Sequence, residues 1–512
     1  MSWQPFFPFP EWRPAQAQGL DFICRGLPQA DDIFLEAPNG IGKSAIAIAL
    51  ARCRVELGAA TYISTTTISL EDQYMRDFAK LGLRQLHAKS HYPCATCQSC
   101  DVGSREVKST NGRKSRCQEG DACPYKIAKA RFNAAHFSIA NAAYICTCAR
   151  FAPDWILRDV GIFDEAHLLH DTIASGYSFD IHESEVEFFP AEGAELSWLE
   201  RFYSFWLATQ IRELEQELDH TDGDDLEVRK TCRKLERAEQ KQENLRKILA
   251  DVPEHWVFDQ QPDRLSISPL WATDLAAHLL PQIGAKRIYL SATLPGFKHQ
   301  ARYLGIDAKK AKFLALDSPF PLEHRLIHIC PIVKWDHRNP GPAIAKTCRA
   351  LEKILNLHPA DRGLVHVSSY WQAREIIQQC RSKRLITHGN AREKDVRLEE
   401  MFARPGTVLV SPSSHEGLDL YGDRSRFQVI VKLPFASLGD TRVKRRMQVD
   451  PDWYNLHTAQ KFTQACGRSI RSDSDFAVTY ILDQAFDGFY SRASQFFPRY
   501  IADALRIYEV PV

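Results

Sequence analysis

The sequence predicts an α/β chain of two parallel-sheet domains, the first interrupted by a cysteine-rich insertion and by a helical one. Three observations predict it. The stretch EAPNGIGKSA (36–45) joins a strand pattern to a helix pattern through a glycine-lysine-serine loop. The stretch DVGIFDEAHLLHD (159–171) reads as a strand ended by two carboxylates. Short β-rich runs ended by small polar residues, RIYLSAT, GLVHVSS, TVLVSPS and QVIVKLP, recur through the second half, with helical patterns between several of them. Buried parallel strands look like this and carry function at their carboxyl ends. At 512 residues the chain exceeds one ordinary core.

Composition narrows the class. Hydrophobic residues at 44% and charged residues at 25% are those of a soluble globular protein. No run approaches the roughly 18 apolar residues of a membrane span, and MSWQPFFPFPEW lacks the basic start of a signal peptide. A cytoplasmic chain with no membrane partner is expected, in a bacterium or a phage-infected cell. The formal charge of +1 argues neither for nor against nucleic acid, because binding needs a basic groove rather than a basic chain. Fourteen cysteines without an export signal read as thiols or metal ligands, not disulfides.

The first loop, Ala37, Pro38, Asn39, Gly40, Ile41, Gly42, Lys43 and Ser44, follows the A-x-x-x-x-G-K-S form, with alanine where glycine usually stands. Its glycines let backbone N–H groups turn toward phosphate oxygens at the positive end of a helix. Lys43 would reach the β- and γ-phosphates of ATP, and Ser44 would ligate Mg²⁺. The strand DDIFLEA before it and the helix former KSAIAIALARCRVEL after it supply the required context. Such a loop needs an acidic partner on another strand. Asp164 would hold the Mg²⁺ through water, Glu165 would polarise the attacking water, and His167 would relay hydrolysis onward.

Far downstream, in QACGRSIRSDSD, Gln464, Arg468 and Arg471 stand four and then three residues apart, so they share a helical face. Arginines so placed neutralise γ-phosphate charge in the transition state. A loop at 43 and arginines near 470 put ATP between two domains, and nucleotide state then controls their separation. That arrangement is a motor.

The order of these motifs resembles the superfamily 2 helicases, specifically the XPD/DinG-like 5′→3′ iron–sulfur DNA helicases, from about residue 11 to residue 487. EWRPAQ resembles the family's adenine-contacting motif, which implies roles for Arg13 and Gln16. ISTTTISLEDQ (63–73) is similar to motif Ia, implying backbone contacts to DNA from Thr65, Thr67 and Gln73. IYLSATLPG (288–296) is similar to motif III, whose Ser291, Ala292 and Thr293 would couple hydrolysis to strand grip. VLVSPSSHEGLDLYGDRSRFQVIVKLPF (408–435) resembles the most family-specific segment, with Asp419 in its ATP-binding position. The resemblance implies two RecA-like domains, ATP-dependent unwinding and 5′→3′ movement on single-stranded DNA, with forked or tailed duplexes as substrates and a monomer as the working unit. Two alternatives stand beside it: an ATP-driven translocase that strips protein or RNA from DNA, and a nucleotide-gated DNA clamp.

Between motif Ia and the acidic strand, Cys94, Cys97, Cys100, Cys117 and Cys123 fall in a segment rich in Gly, Ser, Lys and Arg. It has too few core-forming residues to fold by apolar burial, so a metal centre is its expected organiser. Thiolates at C-x-x-C spacing hold Zn²⁺ or an iron–sulfur cluster, and composition does not separate the two. The family resemblance implies a [4Fe–4S] cluster on Cys94, Cys100, Cys117 and Cys123, with Cys97 the alternative to Cys100. Cys146 and Cys148, in the apolar run NAAYICTCARF, read as core residues.

Between the acidic strand and motif III, LSWLERFYSFWLATQIRELEQEL and LEVRKTCRKLERAEQKQENLRKIL have apolar residues at three-to-four spacing around DHTDGDD and predict an antiparallel helical hairpin. In the family this position holds the arch. The expected organisation is thus motor domain 1 over 1–85, 136–171 and 271–296, the cysteine insertion at 86–135, the helical insertion at 172–270 and motor domain 2 over 297–512.

Overall fold

A computed structural model describes residues 2–508, apart from 95–97, 100–105, 110–111, 116–121, 153, 191–195, 221–224, 252, 295, 337, 413–419, 421, 468 and 471–473. Two seven-stranded sheets, each parallel throughout, form the body. The first contains β1 (Asp32–Glu36), β2 (Thr61–Thr65), β3 (Arg84–Gln85), β4 (Phe137–Asn141), β5 (Arg158–Asp164), β6 (Gly284–Ser291) and β7 (Lys312–Ala315), in the order β7-β1-β6-β5-β2-β4-β3. The second contains β8 (Ile327–Val333), β9 (Gly363–His366), β10 (Leu385–Thr387), β11 (Val408–Ser411), β12 (Phe427–Ile430), β13 (Val478–Asp483) and β14 (Leu505–Ile507), in the order β10-β11-β9-β12-β13-β8-β14. These are two RecA-like domains, and the β-rich runs of the sequence are their central strands.

The central strands carry apolar residues on both faces because both are covered by helices. On one face of the first sheet, Ile33 and Ile288 pack with Ile46, Ile48 and Leu50 of the helix Lys43–Val55. On the other, Phe34, Phe163 and Tyr289 stack and meet Leu279 and Leu280 of the helix Thr273–Ile283. The second sheet is covered by Ile344, Leu351 and Ile354 on one side and by Leu456, Phe462 and Phe486 on the other.

The first sheet extends past residue 296, where the sequence suggests its domain ends. β7 pairs with β1, Ile33 opposite Lys312 and Glu36 opposite Ala315, so the boundary lies further on. KFLA is too short to show alternation, and its pairing with β1 is a contact remote in sequence.

The segment predicted as a helical hairpin is one, with a sheet at its foot. Its first arm runs from Leu196 through a π-helical stretch at Phe202–Leu207 to His220, and its second arm is Asp225–Leu249. At its foot, Phe179–His182, Trp256–Gln260 and Arg264–Pro269 make a three-stranded antiparallel sheet that sequence reasoning did not anticipate. In the cysteine insertion, Pro93–Cys94 pairs with Gln98–Ser99, and Glu106–Ser109 pairs with Gly112–Ser115. Among the described residues no helix is long and apolar enough to cross a membrane.

Candidate nucleotide site and groove

Parallel register brings the functional ends together. Glu36 lies opposite Ser291, and Leu290 opposite Asp164, so the loop after β1, the acidic pair after β5 and motif III after β6 emerge side by side. The Ala37 N–H donates to the Ser291 carbonyl at 2.8 Å, tying the loop's start to β6. Gly40 and Gly42 take positive φ angles of 81° and 94°, which the tight turn into the helix requires. A side chain on Gly42 would sit 2.7 Å from Gln16 Nε2, so the glycine also makes room for the first helix. Arg13 donates to the Gly40 carbonyl, and Gln16 donates to the Ile41 carbonyl at 2.8 Å. The two residues of the predicted adenine motif therefore brace the loop.

Lys43 is buried, 3.4 Å from Asn39 Oδ1 and 3.8 Å from Glu165 Oε1. Ser44 follows it in the first helical turn, and Pro38 and Ile41 are buried beneath the loop. Asp164 is buried as well. It accepts the Tyr74 hydroxyl at 2.8 Å and the Glu165 N–H at 3.0 Å. Burial and the neighbouring Glu165 carboxylate push its carboxyl up, while Lys43 pulls it down. A cation between these oxygens would relieve that penalty. Glu165 has φ 52°, the sole positive value outside glycine among the described residues, and turns its carboxylate back toward Lys43. Glu36, at the end of β1, accepts the Leu294 N–H at 2.8 Å, and burial pushes its carboxyl up to about 7.

From Glu165 a chain of polar contacts runs out of the first domain. Glu165 Oε2 lies 3.4 Å from His167 Nδ1, which is 2.9 Å from Ser291 Oγ. Ser291 Oγ accepts the Thr293 N–H at 3.1 Å, and Thr293 Oγ1 accepts Gln464 Nε2 at 3.2 Å. Gln460 Nε2 donates to the Thr293 carbonyl at 3.3 Å, and the Tyr500 hydroxyl donates to the Ala292 carbonyl at 3.1 Å. Gln464, Gln460 and Tyr500 belong to the second domain. From His167 onward every step is buried, so each polar group depends on the next.

The loop also touches the second domain directly. A side chain on Gly40 would meet the Ile470 carbonyl at 2.8 Å, and one on Gly467 would meet Asn39 Nδ2 at 2.3 Å. Sequence reasoning quoted QACGRSIR for its arginines and passed over the glycine just before them. It likewise missed Tyr74, Gln460, Tyr500 and Glu36, none of which has a local pattern to mark it. Arg468, Arg471 and Asp419 lie outside the described residues.

Motif Ia behaves differently from its expectation in one respect. Thr65 is fully buried and donates to the Thr67 carbonyl at 3.3 Å, while Thr67 Oγ1 caps the helix Ile68–Phe78 by accepting the Leu70 N–H. Both hydroxyls help to shape the turn; Gln73 is half-buried on the helix that follows.

Beside that helix opens a groove of about 1270 Å³. Its walls come from three places: Tyr144, Thr147 and Phe151 of the first domain, His87 to His91 with Tyr125 and Lys129 from the two ends of the cysteine insertion, and Arg233 to Glu243 of the hairpin's second arm. The strand Glu106–Ser109 of the insertion reaches the hairpin's first arm. Of the candidate metal ligands, Cys123 is buried at the start of the helix Pro124–Ala134, and Cys94 lies in the short strand pair. Cys97, Cys100 and Cys117 lie outside the described residues, and among the described residues no group of His, Cys, Asp and Glu is placed to hold a metal ion.

Comparison with known proteins agrees with this architecture. The helicase C-terminal domain family matches residues 351–504. The ATP-dependent DNA helicase YoaA of Escherichia coli is 28% identical over 234 residues, 43% of this chain and 36% of that protein. The ATP-dependent DNA helicase DinG of Photobacterium profundum is 26% identical over 294 residues, 48% of this chain and 40% of that protein. The alignments thus span well under half the length of either relative. Among solved structures, an XPD helicase superposes with a TM-score of 0.64 at 16% identity, covering 95% of this chain and 98% of that one. S. tokodaii Xpd4 gives 0.60 at 15% identity, covering 97% and 100%. In sequence the chain is thus similar to the DinG and YoaA helicases, and in fold to XPD.

Proposed function

We propose that this chain is an ATP-dependent DNA helicase that binds single-stranded DNA and moves along it 5′→3′ by opening and closing its two RecA-like domains. The observation that carries the reading is the polar chain Glu165–His167–Ser291–Thr293–Gln464, which links the residue that would orient the attacking water to the opposite domain. Lys43 holds the β- and γ-phosphates, and Ser44 and Asp164 hold Mg²⁺. Glu165 orients water, and Arg468 and Arg471 meet the γ-phosphate from the second domain. Loss of that phosphate alters what Glu165 and the arginines face, and His167 passes the change to motif III. The DNA strand lies in the groove between first domain, cysteine insertion and hairpin arm, on a forked or tailed duplex, with the monomer as the working unit.

Cys94, Cys100, Cys117 and Cys123 hold a [4Fe–4S] cluster in this reading, with Cys97 in reserve for Cys100. What supports it is the strand pair that reverses the chain between Cys94 and Cys100, and the buried Cys123 beside the groove residue Tyr125. The cluster supplies a structural crosslink for a segment too poor in apolar residues to fold alone.

The test is strand displacement on duplexes with 5′ or 3′ tails, together with ATPase assays. The chain should hydrolyse ATP faster with single-stranded DNA present and displace a strand from the 5′-tailed duplex. Lys43→Ala should abolish both. ATPase in that variant within a few-fold of wild type would overturn the nucleotide site, and hydrolysis without displacement of either substrate would favour a translocase.

A further inference from the structure

The second domain reaches the first at a place well away from the nucleotide loop. The helix Thr441–Val449 carries a row of basic residues, RVKRR, and is docked against the first domain and its helical insertion. Arg445 donates to the carbonyls of Trp256 and Glu254, each at 3.1 Å. Thr441 Oγ1 donates to Asp259 Oδ1 at 2.7 Å, and Arg446 Nε donates to the Leu270 carbonyl at 2.6 Å. Arg446 is 3% exposed, its guanidinium between the rings of Trp271 and Trp453, and it pairs with Asp171 at 2.8 Å. Arg442 lies 3.7 Å from the same carboxylate.

Three of these acceptors have one mechanical property in common. Glu254, Trp256 and Asp259 stand where the hairpin's second arm, ending at Leu249, returns to the body of the protein. Further out along that same arm, Arg233, Arg237 and Gln240 form one wall of the groove. The arm is also tied to the first domain, where Arg150 donates to Asn244 Oδ1 at 2.6 Å and to the Gly176 carbonyl at 2.7 Å. The arm is therefore held at its root by the second domain and at its side by the first. A rotation between the two domains must move the root relative to that side anchor.

We propose that the helix Thr441–Val449 is the transmission by which the second motor domain sets the width of the groove, gripping the hairpin root through Arg445 and Thr441. The inference rests on the nucleotide-driven domain motion proposed above and assigns it a second output. The first output travels through Gln464 and motif III; this one travels through the hairpin root, and neither Arg445 nor Asp259 belongs to the nucleotide site or lines the groove. The arginine grips peptide carbonyls, which no side-chain substitution on the insertion removes, so the contact is broken cleanly from the second domain's side.

The experiment measures the affinity of the full chain for an oligo-dT strand by fluorescence anisotropy, without nucleotide, with ADP and with a non-hydrolysable ATP analogue. Wild type should change affinity at least fivefold between nucleotide states. Arg445→Ala, made on the second domain, and Asp259→Ala, made on the insertion, should each shrink that ratio toward one. Their DNA-independent ATP hydrolysis should stay within twofold of wild type. Two variants from opposite sides of the contact guard against one that folds poorly, and melting temperatures report which are intact. Folded variants that keep the wild-type ratio would overturn the transmission, as would a wild type that hydrolyses ATP and binds the strand with no dependence on nucleotide. A wild type that neither hydrolyses ATP nor binds the strand would instead overturn the helicase reading itself, and this inference with it.

Discussion

Replacing Gly467 by alanine adds one methyl group where the second motor domain meets the nucleotide loop of the first. The backbone there has φ −87° and ψ 17°, which alanine adopts without strain, so the perturbation is steric alone. The new Cβ would stand 2.3 Å from Asn39 Nδ2, 3.2 Å from its Cγ and 3.4 Å from its Cβ. Against a normal contact near 3.5 Å, that is an overlap of about 1 Å. Asn39 is 9% exposed and accepts from Lys43 at 3.4 Å, so it has little room to swing away and loses its lysine contact if it does. Either the asparagine gives up Lys43 or the helix end draws back from the loop. Overpacking of this kind costs about 1–3 kcal/mol. Taken as about 2 kcal/mol against the closed arrangement, it lowers the closed fraction about 30-fold. DNA-stimulated kcat for ATP should fall by about one to two orders of magnitude, while the melting temperature moves little because neither domain core is touched. Steady-state ATPase assays with and without oligo-dT check it. A folded variant whose kcat stays within about threefold of wild type would refute the claim that hydrolysis requires this approach.

Four further outcomes follow from the same geometry. Glu165→Gln should bind ATP yet lose about 10²–10⁴ in turnover, the range for removing a general base, as nucleotide binding and single-turnover hydrolysis would reveal. Ser291→Ala removes the link between His167 and Thr293, so strand displacement should fall at least about tenfold while ATPase stays within about threefold; equal losses would point to a structural role. Protein purified without oxygen should carry about four iron atoms per chain, and Cys117→Ser or Cys123→Ser should lose them; one zinc per chain would replace the cluster with a structural zinc site. Stability should fall with acid well above the carboxylate range. His170 is buried against Asp171, Arg446 and Arg442, and burial pushes its imidazole down to about 4 from 6.5. The unfolded chain therefore takes up a proton that the folded one refuses, and stability present above about pH 6.5 is lost as pH drops toward 4, by about 2 kcal/mol at pH 5. Thermal melts from pH 7.5 to 5 test this, and His170→Gln should flatten the slope.

Local sequence determined much of this protein. The glycines of the nucleotide loop, the acidic pair after β5 and the β-rich runs are legible because each expresses a requirement of its own backbone: positive φ, a strand end, or burial on both faces. The hairpin arms are legible for the same reason, since three-to-four periodicity lies within one helix. The resemblance to XPD/DinG-like chains rests on such local stretches taken in order, which is why fold and candidate nucleotide residues could be read together. Tertiary structure alone decided what depends on partners far apart in the chain. KFLA becomes the edge of the first sheet only because β1 offers it a free side, and Tyr74 matters only because Asp164 lies against its hydroxyl. Thr65, a backbone contact by motif, is buried by its neighbours. Gly467 is an ordinary helix-terminal glycine until Asn39 stands 2.3 Å from where its side chain would be. RVKRR is docked only because Asp171, Leu270 and Trp256 meet it from across the chain. A periodic pattern reports which way a residue faces, and only the folded chain decides what it faces.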